Sequence, residues 1–455
     1  MTAIKGERLN FTGPPFSLIA CSVAFMLNEV LRKPDKTYSH TSPASYQLPM
    51  LSKLNSKTTI LSLGLLIIVV AAIFSSSILS NPMFNNYLTS ALAQPFVQTV
   101  NYRDLIIDLG NGIQTNAQVT IPAVGKGPFP GVLLVHGSGP VDMNETLSPD
   151  SKPFWQIAQY LSERGFAVLR YDKRGVGANS QIIDGDIWGN LTFDDLKNDA
   201  EIALGILTQQ PEVDPSKITL IGHSEGTIIV PRIVIDQVNK TNSTATIENI
   251  VLMASVAQNV VDLLHFQLVD IRLAYAQQVL DRNNTGSFSI QEAISSDPLF
   301  GEPLAALFGR NATGSLNIDK QVKPFLEGQY ENITSADIAA KCSFQGACPI
   351  WLNSHDNLEP NLNIVSNIPN STSVLILHGQ NDSQAPIQQS FLLEQRLTEM
   401  NHPDHTLITY PDLGHLFNPS SPWFTEFGPM EQNVLSDLHR WFSEHTQGLR
   451  GLDGG

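Results

Sequence analysis

From residue 99 onward, short apolar runs alternate with amphipathic stretches. Residues 102–109 and 113–121 predict a hairpin turned at Gly110-Asn111-Gly112. Residues 130–135, 166–171, 217–221, 250–254, 374–377 and 406–409 predict further strands. Most are continuously apolar, as strands covered on both faces must be. Residues 154–164, 193–208 and 430–445 carry apolar side chains at helical spacing; in 193–208 the stripe runs through Leu196, Ala200, Ile202, Ala203 and Ile206. Alternation of this kind predicts an α/β chain with a mainly parallel sheet covered by helices.

The alternation breaks between residues 256 and 369, which hold helical patterns such as 260–280 joined by Asn-, Gly- and Ser-rich connectors. An insertion between two sheet strands reads as a mainly helical lid over the strands' C-terminal ends, the edge where open α/β sheets carry their sites. No internal repeat is expected. The predicted organisation is a tail over 1–57, a membrane segment over 58–80, a linker over 81–98, a core formed by 99–255 and 370–447, a lid over 256–369 and a tail over 448–455.

Residues 60–79 are twenty positions without a charge, long enough to cross a bilayer as a helix. Lys53 and Lys57 precede this run and no Lys or Arg follows until Arg103, which places the N-terminus in the cytoplasm and the body outside. The segment is a signal-anchor or a signal peptide; Ala91-Leu92-Ala93 has the shape of a cleavage site, and Met50 offers a second start. Residues 1–80 carry 7 Lys/Arg against 3 Asp/Glu, and the rest of the chain 20 against 40. So acidic a body, within a net charge of -16, excludes nucleic acid as a partner. Cys342 and Cys348 are close enough to form a disulfide in an oxidising compartment, or stand as two free thiols.

The chemistry centres on Gly222-His223-Ser224-Glu225-Gly226, set between a strand pattern and a helical one. Strand, G-x-S-x-G, helix is the setting of a nucleophile elbow, which exposes the serine oxygen on a tight turn. Serine needs a base to take its proton and a carboxylate to orient that base. Asp382 follows the strand at 374–377, and His415 follows the strand at 406–409. Asp356, Asp404, Asp412, His402 and His405 are weaker candidates, and His136, His223 and His378 read as residues that hold loops. An oxyanion needs backbone donors. The amides of Ser138, in His136-Gly137-Ser138-Gly139-Pro140, and of Glu225, at the start of the elbow helix, are the candidates.

HGSGPVDMNET (136–146), RYDKRGVG (170–177), GHSEGTIIVP (222–231), VLILHGQNDSQAP (374–386) and PDLGHLF (411–417) together resemble the lidded esterases of the α/β-hydrolase superfamily, near the serine aminopeptidase-like branch. The resemblance spans most of residues 100–445. It implies Ser224 as nucleophile, Asp382 as acid and His415 as base, with Asp172, Arg174 and Gly175 shaping a loop beside the pocket. Thr227 departs from the small residue usual at that place. The expected activity is hydrolysis of a small carboxylic ester with neither cofactor nor metal. A peptidase, with Glu225 or a lid acid receiving the substrate amine, and an acyl-thioester hydrolase or acyltransferase are the alternatives.

Overall fold

The computed structural model describes residues 99–239, 245–336 and 348–446. The expected membrane segment, the N-terminal tail and Cys342 lie outside the described residues. Cys348 is disulfide-bonded. Among the described residues no helix is long and apolar enough to cross a membrane.

The described residues hold twelve strands, in chain order β1 (Val100–Asp108), β2 (Gln114–Pro122), β3 (Phe129–Val135), β4 (Ala167–Tyr171), β5 (Val176–Gly177), β6 (Gln181–Ile182), β7 (Val213–His223), β8 (Ile247–Met253), β9 (Ser287–Ser289), β10 (Ser315–Asn317), β11 (Ser373–Gly379) and β12 (His405–Tyr410). Eight form one sheet in the order β1-β2-β4-β3-β7-β8-β11-β12. Only β2 runs against the others, because the hairpin at Gly110-Asn111-Gly112 turns it back on β1. Within this sheet, every pairing from β4 through to β12 is parallel, as the apolar strands predict.

Two helical layers sandwich this sheet. Helices α2 (Phe193–Thr208), α3 (Gly226–Asn239) and α4 (Gln388–Glu399) cover one face; α1 (Pro153–Ser162) and α5 (Gln432–His445) cover the other. The strands alternate their side chains between the two cores: Leu133 and Leu220 join α2 and α3, while Val132 and Ile221 join α1 and α5. Parallel strands sandwiched this way put their C-terminal ends, and the loops leaving them, on one edge. Those loops follow Val135, Tyr171, His223, Met253, Gly379 and Tyr410.

Element ends depart from the pattern where tertiary partners intervene. β7 begins at Val213, four residues before the apolar run, because Val213 and Asp214 pair with Phe129 and Pro130 across a register shift. Helix α5 begins at Gln432 rather than Met430, because the Met430 amide is held by Gln156 Oε1 at 2.8 Å.

Residues between β8 and β11 build a third apolar cluster of their own around Leu268, Phe288, Phe300, Leu316 and Leu326. Residues 260–280 are helical throughout, as expected, but with π turns at Phe266–Asp270 and Ala276–Leu280. The sequence pattern does not reveal the ribbon of β9 and β10. The chain does carry a short repeat: Arg282-Asn283-Asn284-Thr285-Gly286-Ser287 recurs as Arg310-Asn311-Ala312-Thr313-Gly314-Ser315. The expectation of no internal repeat is therefore corrected. The copies are short, and the helices between them are unalike.

Candidate active site

Ser224 sits on the turn from β7 into α3 with a left-handed φ of 51°. A non-glycine residue holds that conformation only when its surroundings impose it. Here the Ser224 amide donates to Met253 O at 2.9 Å, and Ser224 O accepts from the Thr227 amide at 2.9 Å and from Thr227 Oγ1 at 2.6 Å. Thr227 Oγ1 in turn accepts from the Val256 amide at 3.1 Å. The departure at Thr227 is thus a cap that ties the elbow to the loop after β8. Pro231 in α3 has no N–H for the Thr227 carbonyl; Asn361 Nδ2 supplies the donor instead at 2.9 Å.

The two elbow glycines answer to crowding. A Cβ on Gly222 would strike the Gly226 carbonyl, and one on Gly226 would strike the Val135 carbonyl. Neither obstacle is a flexible side chain. Gly226→Ala is expected to lower stability by about 3 kcal/mol, the upper end of typical overpacking. A denaturation midpoint like the parent's would contradict this.

Asp382 and His415 meet directly. His415 Nδ1 lies 2.8 Å from Asp382 Oδ2 and 3.0 Å from Oδ1. Asp382 Oδ1 also accepts from the amides of Gln384 and Ala385 at 2.8 and 2.9 Å. Burial alone would raise the Asp382 pKa, but His415 and His378 overcome it and hold the carboxyl well below the carboxylate range. A Cβ on Gly379 would strike the Leu413 and Gly414 carbonyls, so the two loops that carry this pair pack backbone to backbone. His378 holds its loop as expected, from Nε2 to Ala385 O at 2.8 Å and from Nδ1 to Ser390 Oγ at 2.5 Å.

His223 links this pair to the elbow. Its ring centre is 4.9 Å from that of His415, and its Nε2–H donates to His415 O at 3.0 Å. Its Nδ1 lies 3.0 Å from Glu145 Oε2. Burial opposes a charge on His223, but Glu145 outweighs it and the pKa is raised. Among the described residues, no hydrogen bond joins Ser224 Oγ to His415.

The loop after β3 forms the opposite wall. A Cβ on Gly137 would come within 3.2 Å of Ser224 Cβ. The Gly137 amide donates to Glu145 Oε1 at 2.7 Å, so Glu145 braces both the loop and His223. Among the described residues nothing accepts a hydrogen bond from the amides of Ser138 or Glu225. Behind this wall Lys173 Nζ donates to Gly137 O at 2.6 Å, to Gly139 O at 3.3 Å and to Glu225 Oε2 at 2.7 Å. Trp351 Nε1 donates to Glu225 Oε1 at 2.7 Å, and His355 Nε2 lies 3.0 Å from the same oxygen. Burial would raise the Glu225 pKa; Lys173 and His355 overcome that and hold it far below its ordinary value. Lys173 and Glu225 are each only 3% exposed.

The sequence profile described as "Alpha/beta hydrolase family" matches residues 132–424, well over half of the chain. The chain belongs to this family. The chain is 42% identical over 117 residues to "Esterase EstD" of Thermotoga maritima; that match spans 26% of each chain. Among solved structures it is similar to the Pyrococcus horikoshii acylaminoacyl peptidase (12% identity, 79% of this chain and 44% of that one, TM-score 0.44). It is also similar to the α/β hydrolase GrgF of a Penicillium species (16% identity, 76% and 99%, TM-score 0.44).

Asp172 and Arg174 shape the loop after β4, the part that the resemblance implies for them. Asp172 accepts from the Met143 amide at 2.7 Å, Arg174 pairs with Asp195 at 2.7 Å and also with Asp199, and Gly175 is left-handed at φ 74°. Glu225 departs from one expectation. Its carboxylate is buried and occupied by Lys173, Trp351 and His355, so it is not placed to receive a substrate amine. The sequence pattern does not single out Lys173, Glu145, Trp351 or His355. Lys173 stands inside a stretch that carries the resemblance, but nothing local says that its partner lies 52 positions away.

Proposed function

We propose that this hydrolase cleaves carboxylic esters through an acyl-enzyme, with Ser224 as nucleophile, His415 as base and Asp382 as its orienting acid. The observation that carries the reading is the Asp382–His415 contact, set beside a strained serine turn and two backbone amides without partners. Ser224 Oγ attacks the acyl carbon while its proton passes to His415 Nε2. The carbonyl oxygen becomes an oxyanion, and the amides of Ser138 and Glu225 receive it. Collapse breaks the acyl–oxygen bond, and His415 returns the proton to the departing alcohol. Water, deprotonated by the same histidine, then releases the acid and frees Ser224. Asp382 stays ionised throughout.

Esters are favoured over amides because the carboxylate best placed to hold an amine, Glu225, is already paired. The segment between β8 and β11 reaches both sides of the site, with Trp351 and His355 on Glu225 and Gln267 Nε2 on Gln384 O at 2.9 Å. These contacts support its reading as a lid. The test is hydrolysis of p-nitrophenyl esters of graded chain length, beside labelling by a fluorophosphonate. Folded protein that neither hydrolyses nor labels would overturn the reading. Labelling without ester hydrolysis would turn it towards the peptidase or thioesterase.

A pH profile tests the base. His415 must be neutral to accept the Ser224 proton. Burial lowers its pKa from the ordinary 6.5; Asp382 raises it, His223 lowers it, and the net shift is downward. kcat/KM is therefore expected to be level through neutrality and to fall only as pH drops below 6.5, when His415 gains its proton. An acid limb with its midpoint above 6.5 would contradict this assignment.

A further inference from the structure

The repeat in the segment between β8 and β11 is a pair of helix–loop–helix units. Residues 281–292 read Asp-Arg-Asn-Asn-Thr-Gly-Ser-Phe-Ser-Ile-Gln-Glu. A calcium loop of twelve residues takes oxygen ligands from its first, third, fifth, seventh, ninth and twelfth positions, with glycine at the sixth for the sharp turn and a bidentate glutamate at the twelfth. Here those positions hold Asp281, Asn283, Thr285, Ser287, Ser289 and Glu292, and Gly286 is the sixth. The fifth position usually carries Asn or Asp; Thr285 keeps an oxygen there. Gly286 is left-handed at φ 72°. A helical stretch, 260–280, leads into the loop, and the helix Ile290–Ser296 leads out of it.

The second loop, residues 309–320, supplies an internal comparison. β9 and β10 pair antiparallel with Phe288 opposite Leu316, the eighth position of each loop. The Ile290 amide donates to Gly314 O at 3.0 Å and the Ile318 amide to Gly286 O at 2.9 Å, a reciprocal exchange. In each loop the ninth side chain accepts from the twelfth amide: Ser289 from Glu292 at 3.3 Å, and Asn317 from Lys320 at 2.9 Å. Scaffold positions are therefore alike in both loops, whereas ligand positions are not. The second loop has Gly309 first and Lys320 twelfth, so it lacks a carboxylate at both ends and sets a cation where the bidentate ligand belongs.

We propose that residues 281–292 form a calcium site and that residues 309–320 form its metal-free structural partner. Asp281 and Glu292 are the charged ligands; the side-chain oxygens of Asn283 and Thr285 and the backbone carbonyl of Ser287 are neutral ones, and Ser289 acts directly or through water. An all-oxygen set of this number and mixture suits calcium, whose coordination is large and adaptable, better than magnesium, which demands a near-ideal octahedron. Two carboxylates make a weakly charged loop, which sets the dissociation constant on the order of 10⁻⁴–10⁻³ M, in the range of extracellular modules. Asn283, Thr285 and Glu292 are exposed and so open to an arriving ion, whereas Asp281 is buried and its carboxylate accepts from the Thr285 and Gly286 amides at 2.8 and 2.7 Å, which holds it at the head of the loop. The bound ion would join the helical stretch before the loop to the helix after it and brace the segment that reaches the active-site wall. This site stands independently of which bond the hydrolase cleaves.

The test uses the full chain, stripped with a chelator and titrated with calcium, and separately with magnesium, by calorimetry at constant ionic strength. One calcium per chain is expected, with magnesium more than tenfold weaker and a rise in Tm of several degrees at saturating calcium. Glu292→Gln and Asn283→Ala, both at exposed positions, should weaken calcium binding more than tenfold while leaving the Tm of the stripped protein unchanged. Folded parent that takes up no calcium at several millimolar would overturn the proposal. So would binding that neither substitution alters, which reports diffuse surface charge, or two equal ions per chain.

Discussion

Ser224→Ala is expected to lower kcat by about 10⁶-fold, to the level left by binding and the backbone donors alone. The substitution removes one oxygen and leaves the turn intact. Ser224 is held through its amide and carbonyl, by Met253, Thr227 and the shape of the elbow, and not through its hydroxyl. Stability should therefore stay within about 0.5 kcal/mol of the parent, as for changes that touch no packing or buried hydrogen bond. This pairing gives the experiment its force: loss of turnover and of fluorophosphonate labelling in a protein with unchanged Tm assigns the nucleophile. Turnover within tenfold of the parent would mean that another group attacks.

Lys173→Met is expected to act in two separable ways. Lys173 Nζ is the partner of a buried carboxylate, and breaking such a pair from one side costs about 3–5 kcal/mol, because Glu225 loses its lysine and keeps only Trp351 and His355 beside it. The double variant Lys173→Met/Glu225→Gln removes both charges and should recover most of that loss. Catalysis should not recover with it. Lys173 also holds the carbonyls of Gly137 and Gly139, on either side of Ser138, while its partner Glu225 carries the other proposed oxyanion donor. Without the clamp the two amides lose their common frame, and kcat should fall by about 10²–10³-fold, the loss typical of removing one oxyanion donor. KM should change little, since the ground-state carbonyl gains least from those donors. A double variant with both stability and kcat restored would make Lys173 a purely structural residue.

Much of the fold is legible in the amino-acid pattern. The strand runs at 130–135, 250–254 and 374–377 are apolar because both faces are covered, and that pattern needs no knowledge of what covers them. Asp382 and His415 are legible because each follows its own strand, and parallel strands deliver such loops to one edge. The ends of β7 and α5 are not, because Phe129 and Gln156 set them from elsewhere in the chain.

The sequence by itself determined the α/β class, the elbow glycines and the order of the three candidate site residues, since each rests on local periodicity or on a turn that tolerates one residue type. Only the tertiary structure decided that Glu225 is tied down by Lys173 rather than open to a substrate. It alone showed that Glu145 and His223 brace the site, and that the loops at 281–292 and 309–320 are a reciprocal pair. The physical reason is common to all three: a buried charge and a cross-loop hydrogen bond are defined by partners that are distant in the chain, and no local pattern records which partner folding will bring.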